Sequence, residues 1–394
     1  MGTKNNHVAM LVFSYYPNDV RVRREAEALA QSGFEVDIIC LQGETEEKRG
    51  EFNKTNIYRL PVRRKRSGKF RYLWQYVGFI ILAFLQLSFL HVRKKYHIIH
   101  VHNMPDILVL SALIPRLTGA KIILDLHDPM PELYMTLFRI KASNPMIRVL
   151  FYLEKLSIRF SNLALTPNKA FRDIFISRGC PDWKIHVVMN SPQEDIFKRR
   201  EKASGLNFAV RENAFVLMFH GNILERHGLD TALEALARLK NKIPNLLFHV
   251  YGDGDFVPKL LEKADRQDLK DIVKFHGIVP LEEIAFAINS IDLGIIPNKM
   301  TPFTNVNLPT RIFEYLSMYK PVVVPRTKGI MDYFDEESLL FFDAGNVDSL
   351  TKAILAAYNN PSYCKLVLEK GIKVYKEHRW ELQKKHFVQL VKKL

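Results

Sequence analysis

The chain has 394 residues, enough for two or three domains at about 150 residues each. Hydrophobic residues make up 47% and charged residues 25%, which excludes wholesale disorder. The net charge of +15 is uneven: residues 1–200 hold 31 basic and 18 acidic side chains, and residues 201–394 hold 26 and 24. A basic half joined to a near-neutral half predicts that one domain meets an anionic surface. Cys40, Cys180 and Cys364 are widely spaced and odd in number. They exclude a disulfide scaffold and a cysteine-only zinc site, and fit a reducing compartment.

Val8–Phe13 is too short for a secretion signal and reads as a strand, followed by a helix over Val22–Ser32. Strand Glu35–Leu41 and a short strand near Ile57–Leu60 come next. Arg63–Arg71 (RRKRSGKFR) carries six basic residues in nine, and Tyr72–Val92 is an apolar run long enough to span a bilayer. Arg93-Lys94-Lys95 closes it. Then follow strand His97–His102, helix Ile107–Leu117 and strand Lys121–Asp125. This alternation of short apolar strands with helices is the pattern of a parallel sheet. A membrane crossing at Tyr72–Val92 would place strands of one sheet on opposite sides of the bilayer, which their hydrogen bonding forbids. The segment therefore reads as a helix packed on the sheet that dips into a membrane interface, both basic flanks cytosolic. A plain core helix and a genuine span are the alternatives. Nucleic acid is not an expected partner, because Phe70 is the one aromatic residue in the basic run and no stacking platform accompanies it.

The second half repeats the alternation. Strands are expected at Phe215–His220, Leu246–Tyr251, Ile272–Phe275, Leu293–Ile296, Pro321–Val324 and near Leu339–Phe342. Helices lie between and after them at Asp230–Leu239, Phe256–Asp265, Leu281–Asn289, Pro309–Met318 and Val347–Tyr358. The predicted fold is α/β, two Rossmann-like doubly wound domains facing a cleft. The expected divisions are an acceptor-binding, membrane-facing domain over 1–190, a polar linker over 191–208 and a donor-binding domain over 209–375. A C-terminal helix over 376–394 is expected to pack back on the first domain. Ligands of such sheets sit beyond the carboxyl ends of the strands.

Three stretches carry chemistry. In Leu124-Asp125-Leu126-His127-Asp128-Pro129, His127 stands at a strand's carboxyl end, either as a catalytic group or as a surface loop histidine. His100 and His102 share one face of a strand, but no third ligand at suitable spacing accompanies them, so a polar cleft wall is favoured over a metal site. In Phe219-His220-Gly221-Asn222-Ile223-Leu224-Glu225-Arg226-His227-Gly228, glycines let backbone approach a phosphate and Arg226 can neutralise it; the alternative is an ordinary turn. In Asn305-Val306-Asn307-Leu308-Pro309-Thr310-Arg311-Ile312-Phe313-Glu314, Pro309 suits the first turn of a helix whose amides bind anions. Glu314 lies one turn on, on the face of Thr310, placed either to accept two ribose hydroxyls or merely to complement the helix dipole.

Taken together and in order, these pieces resemble glycosyltransferase family 4, retaining enzymes of the GT-B fold. The resemblance runs through YYPNDVRVRREAEALAQSGFEVDIICL, HVHNMPD, ILDLHDPMPELY, FHGNILERHGLDTALEAL, YGDGD, KFHGIVP and LPTRIFEYLSMYKPVVVP. It implies that His127 is the active-site histidine approaching the donor sugar, that Arg226 takes the diphosphate charge and that Glu314 binds the donor ribose. Gly221, Asn222 and the amides around Leu308, Pro309 and Thr310 would hold the phosphates. His276, Gly277 and the residues to Val279 would line the base pocket, and His102 and Asn103 would contact substrate. Asn190 matches the family's linker asparagine. Many members carry a second glutamate eight residues before the ribose-binding one, where this chain has Val306, so Asn305 or Asn307 is expected to supply the lost hydrogen bonds. The family's Lys-Gly is His227-Gly228 here, and its first-loop diglycine is Pro17-Asn18-Asp19.

The function these features imply is transfer of a sugar, with retention, from a nucleoside-diphosphate sugar to a lipid-linked or cell-surface glycan acceptor. UDP is favoured over GDP. No cofactor is obligatory, and no metal is expected, since helix amides and Arg226 neutralise the leaving group. Asp128 is the only carboxylate near enough to be weighed for a double displacement. The expected location is the cytosolic face of the plasma membrane. Two other readings are a catalytically idle nucleotide-sugar-binding module, suggested by Val306, and a nucleotide-sugar epimerase.

Overall fold

A computed structural model describes residues 6–63, 69–198 and 214–394. Most of the basic run Arg63–Arg71 and residues 199–208 of the expected linker lie outside the described residues. The chain divides into two compact units, Met1–Asn190 with Gln383–Leu394, and Ser191–Leu382.

The first unit is built on eight strands: β1 His7–Leu11, β2 Glu35–Leu41, β3 Arg49–Phe52, β4 Thr55–Leu60, β5 Ile98–His102, β6 Lys121–Asp125, β7 Leu163–Thr166 and β8 Ile185–Val187. Their order is β3-β4-β2-β1-β5-β6-β7-β8, parallel throughout except for the β3–β4 hairpin. The order reverses between β1 and β5, and the crevice at such a reversal is where this class of sheet takes its ligands. β5, a central strand covered on both faces, buries every residue although it reads IIHVH.

The helix after β1, Val20–Gln31, starts at Asp19, whose side chain accepts the Arg21 amide and so satisfies one free donor of the first turn. Helix Lys69–Lys94 turns Tyr76, Phe79, Ala83, Leu87 and Leu90 inward. Phe13 meets Tyr76 and Phe79 at ring-centroid distances of 4.7 and 5.1 Å. Trp74, Val77, Ile81, Leu85, Phe89 and Val92 recur every three or four residues on the opposite face and are exposed, Trp74 by 74%. The helix is thus long and apolar enough to cross a membrane, yet packs on the sheet by one face and shows a second apolar face outward. The helix predicted over Ile107–Leu117 is a 3-10 stretch, Asp106–Ala112, followed by a short α-helix, Leu113–Leu117. Pro115 lacks the amide hydrogen that a longer regular helix would use.

The second unit has six parallel strands, β9 Phe215–His220, β10 Leu246–Tyr251, β11 Val273–Gly277, β12 Leu293–Ile295, β13 Val322–Pro325 and β14 Leu340–Phe342, in the order β11-β10-β9-β12-β13-β14. Its core packs Leu229, Leu233, Leu236 and Leu239 of helix Leu229–Leu239 against Leu217, Phe219, Phe248 and Val250 of the central strands. The reversal of order falls between β9 and β12. The C-terminal helix expected from residue 376 is two helices in the structure, Pro361–His378 and Trp380–Lys392, broken at Arg379. Phe387 of the last helix is fully buried and faces His100 at 5.7 Å.

Candidate functional site

In the second unit the loop leaving β9 sits at the reversal point, held in place by glycines. Gly221 adopts φ +110°, and its N–H donates to the Tyr251 carbonyl at 3.0 Å. A Cβ on Gly252 would fall 2.0 Å from the Gly221 carbonyl oxygen, and one on Gly228 only 1.8 Å from that of Pro297. The loops after β9, β10 and β12 therefore touch backbone to backbone, a packing that any side chain at these glycines would force apart. Gly221 and Asn222 remain exposed at the rim.

Helix Thr310–Ser317 brings the rest. Pro309 is its N-cap rather than its first-turn residue, and no side chain caps the helix. Proline has no N–H, so the donors of the expected Leu308–Thr310 group shift to Leu308, Thr310 and Arg311, and the helix's first amides are left to an outside acceptor. Glu314 Oε2 lies 3.2 Å from His220 Nε2. Burial, with help from the Arg311 charge, holds the His220 imidazole well below its ordinary pKa, so it is neutral. The Tyr315 hydroxyl donates to the Met218 carbonyl at 2.9 Å, locking the helix to β9.

Arg311 was not singled out from the sequence, yet it is central. Its Nη1 donates to the His220 carbonyl at 2.7 Å, its guanidinium lies 4.4 Å from the Phe219 ring centroid, and Nη1 comes within 3.6 Å of the Cβ position of Gly221. Burial lowers its pKa, and the nearby Arg226 charge lowers it further. Burial presses His227 down to about 3, helped by both arginines, and its Nδ1 sits 2.6 Å from the Asn222 carbonyl oxygen. The Arg226 and Arg311 charges are thus both felt at His227, and Arg226 lies 5.7 Å from the Phe303 ring centroid. Lys299 nearby is neutralised by Asp230 at 2.6 Å, whereas Arg311 forms no ion pair among the described residues. Cations held together against their mutual repulsion are suited to a polyanion.

Of the expected sugar contacts, Asn305 spends its Oδ1 on the Lys328 amide at 3.1 Å. Residues 305–307 are clamped further, since a Cβ on Gly329 would meet the Val306 and Asn307 carbonyl oxygens at 2.5 Å. Val306 is buried. At the far edge the His276 ring stacks on Tyr251 at 4.3 Å and 9°, its Nε2 2.7 Å from His249 Nδ1. The Gly277 carbonyl oxygen accepts the Gly252 amide at 2.6 Å, and the next residue, Ile278, is 80% exposed.

In the first unit, the carboxyl ends of β5 and β6 carry His102, Asn103 and His127. The His127 N–H donates to Asn103 Oδ1 at 2.9 Å, and Asn103 Nδ2 donates to Asp106 Oδ1 and to the Asp128 carbonyl oxygen, both at 2.9 Å. Asn103 therefore staples the two loops together. His127 is not a surface loop residue, being 3% exposed, with Nε2 at 3.1 Å from His102 Nδ1 and 3.4 Å from Asp125 Oδ2. Burial presses its pKa down to about 3 even with Asp125 beside it.

The placing of His102 on a polar wall needs correction. Its side chain is fully buried, between His100 at 4.2 Å and His127 at 5.3 Å ring to ring, because β5 is central and covered on both faces. The third ligand judged missing beside His100 and His102 is also present in space. Glu25 and Asp125 join them, each offering an atom within 4.8 Å of the others. Asp125 could have been found from strand pairing, since β5 and β6 set it opposite His102. Nothing in the sequence pattern pointed to Glu25. Asn190 is tied into this unit, accepting from Arg24 Nη2 at 2.6 Å.

Residues 19–191 match the model of the glycosyl transferase 4-like domain, and residues 214–360 match that of glycosyl transferases group 1. The chain belongs to the glycosyltransferases, with a 4-like first domain and a group 1 second domain. The amylovoran biosynthesis glycosyltransferase AmsK of Erwinia amylovora is 25% identical over 176 residues, which cover 44% of this chain and 42% of AmsK. The match thus spans less than half of that relative. Among solved structures, sucrose-phosphate synthase of Thermosynechococcus elongatus superposes with a TM-score of 0.78 at 16% identity, covering 98% of both chains. The Anabaena protein Alr3699/HepE, in complex with UDP-glucose, superposes at 0.75 and 16% identity, covering 98% of this chain and 100% of its own. At such identities the likeness establishes the GT-B fold.

Proposed function

We propose that this glycosyltransferase family member moves a sugar from a nucleoside-diphosphate sugar, UDP favoured over GDP, to a lipid-linked or cell-surface glycan acceptor. The observation that carries the reading is the convergence of Arg226, Arg311, the uncapped start of helix Thr310–Ser317 and the exposed Gly221–Asn222 rim at one reversal point. Glu314 lies one turn further along the same helix. The diphosphate lies against the two guanidinium groups and the helix amides, which neutralise the charge that grows on it as its bond to the sugar breaks. Glu314 accepts the two ribose hydroxyls, displacing its contact with His220. The backbone at Gly277–Ile278 receives the base. The UDP-glucose bound by the Anabaena protein and the polysaccharide role in the name of the Erwinia protein support the choice of donor and acceptor class.

In this reading the acceptor hydroxyl attacks the anomeric carbon on the face the diphosphate leaves. Its proton passes to the departing phosphate oxygen, and the anomeric configuration is retained. The outward apolar face of Lys69–Lys94, flanked by the exposed Arg93 and Lys95, supports docking at an anionic cytosolic membrane surface. The test is to incubate the purified chain with UDP-sugars and membrane extracts, follow UDP release and determine the anomer formed by NMR. Retention is expected, and an inverted product overturns the mechanism. Saturable UDP-sugar binding without turnover on any acceptor would favour the idle module that Val306 suggests.

A further inference from the structure

The histidine–carboxylate cluster beneath His127 has a property that the donor reading does not use. Glu25, His100, His102 and Asp125 are all buried, by 0 to 3% exposure, and come from three separate elements: helix Val20–Gln31, β5 and β6. Each carries at least one buried polar atom with no hydrogen-bond partner: Glu25 Oε2, both nitrogens of His100, His102 Nε2 and Asp125 Oδ2. Buried polar atoms are nearly always paired, so three orphans within reach of one another, Glu25 Oε2, His100 Nε2 and Asp125 Oδ2, call for a missing partner.

The spacings say what kind of partner. His100 Nε2 is 3.7 Å from both Glu25 Oε2 and Asp125 Oδ2, and on the other side of Asp125 Oδ2, at 3.3 Å, stands His102 Nδ1, which also faces His127 Nε2 at 3.1 Å. At 3.7 Å no hydrogen bond forms, but two ligands about 2.1 Å from a common cation stand at roughly that separation. Two carboxylates side by side, fully out of water, are also costly, and the nearby Arg24 and Arg21 charges ease that cost without bonding Glu25 Oε2 or Asp125 Oδ2. A proton shared by Glu25 and Asp125 would relieve the repulsion, yet it leaves His100 without a partner on either nitrogen.

We infer that Glu25, His100, His102 and Asp125 bind one divalent transition-metal ion of the zinc class. Two imidazoles exclude the hard cations, which prefer all-oxygen shells, and two imidazoles with two carboxylates suit a four-coordinate borderline ion. The ion touches no substrate here. Its role is to fix His102 and Asp125, and through them His127, which rests against both. Because the ligands are buried, the ion is taken up as the unit folds and stabilises it.

The experiment uses the untagged full chain from zinc-supplemented cells, desalted with chelator. About one zinc per chain by elemental analysis, a higher unfolding temperature with zinc than without, and intense four-coordinate d–d absorption on Co²⁺ substitution are expected. His100→Ala and Glu25→Gln should each abolish the stoichiometric metal and the cobalt spectrum while far-ultraviolet circular dichroism is unchanged. A metal-free chain whose unfolding temperature ignores zinc, with only the weak spectrum of hydrated Co²⁺, overturns the inference. So does a cobalt spectrum that survives both substitutions. Should His100→Ala fail to fold, the wild-type cobalt spectrum and Glu25→Gln decide.

Discussion

Replacing Arg311 with glutamine separates its two tasks. Structurally, the change removes the bond from Nη1 to the His220 carbonyl at 2.7 Å and the guanidinium lying 4.4 Å from the Phe219 ring centroid. Losing a charged hydrogen bond and a cation–π contact at a largely desolvated site costs about 2–3 kcal/mol of stability, visible as a lowered urea midpoint with unchanged m-value. In binding, one charge-assisted bond to the diphosphate is lost, about 1.5–3 kcal/mol, or roughly 10- to 150-fold in Kd for UDP. Uridine, which carries no phosphate, is the control. Calorimetric titration should show UDP affinity falling while uridine affinity stays within about twofold, and Arg311→Lys should recover part of the UDP loss. If UDP and uridine weaken by the same factor, Arg311 merely shapes the pocket. If neither weakens, the phosphate assignment fails.

Further expectations concern other parts of the molecule. Glu154 is buried and shares Arg178 with Glu132; burial, only partly offset by Arg178, raises its pKa from 4.5 to about 8. A raised carboxyl pKa gives stability that is complete below 4.5 and lost as pH climbs through about 8. Wild type should therefore lose stability relative to Glu154→Gln across that window, by at most about 1.4 kcal/mol per pH unit, and parallel urea curves would refute the shift. The double change Ile81→Asp with Leu85→Asp places charges at positions 54 and 57% exposed, so the fold should persist. At about 1.5 kcal/mol per inserted side chain, co-sedimentation with anionic vesicles should fall about 100-fold, and undiminished binding would sink the membrane-docking role.

Much of the architecture was legible because a parallel sheet writes itself as short apolar runs separated by helical periodicity. Glu35–Leu41, Lys121–Asp125, Phe215–His220 and Leu246–Tyr251 occupy the residues their patterns indicate. β3, reading RGEF, has no apolar pattern because it is an edge hairpin strand paired on one side only. In the candidate site, spacing left Glu314 and Arg226 each with an ordinary alternative, and the family resemblance assigned their roles. Arg311 was not singled out, because an arginine in a helix's first turn reads as solvated until the fold sets it against Phe219 and Gly221. His102 misled for the opposite reason: period-two reading assigns it a face, but a central strand has no exposed face. Glu25 could not be found at all, since its partners lie 75 and 100 residues away and only packing unites them.

The central claim is that the second unit's reversal point is a nucleotide-sugar donor site read by Glu314. Its most direct test is calorimetric titration of wild type and Glu314→Ala with UDP, GDP and ADP. Saturable binding of UDP to the wild-type chain is expected, weakened at least about 10-fold in Glu314→Ala by the loss of two charged hydrogen bonds to the ribose, with the unfolding midpoint little changed. Equal UDP affinity in the two proteins, or no binding of any of the three nucleotides to wild type, would contradict it.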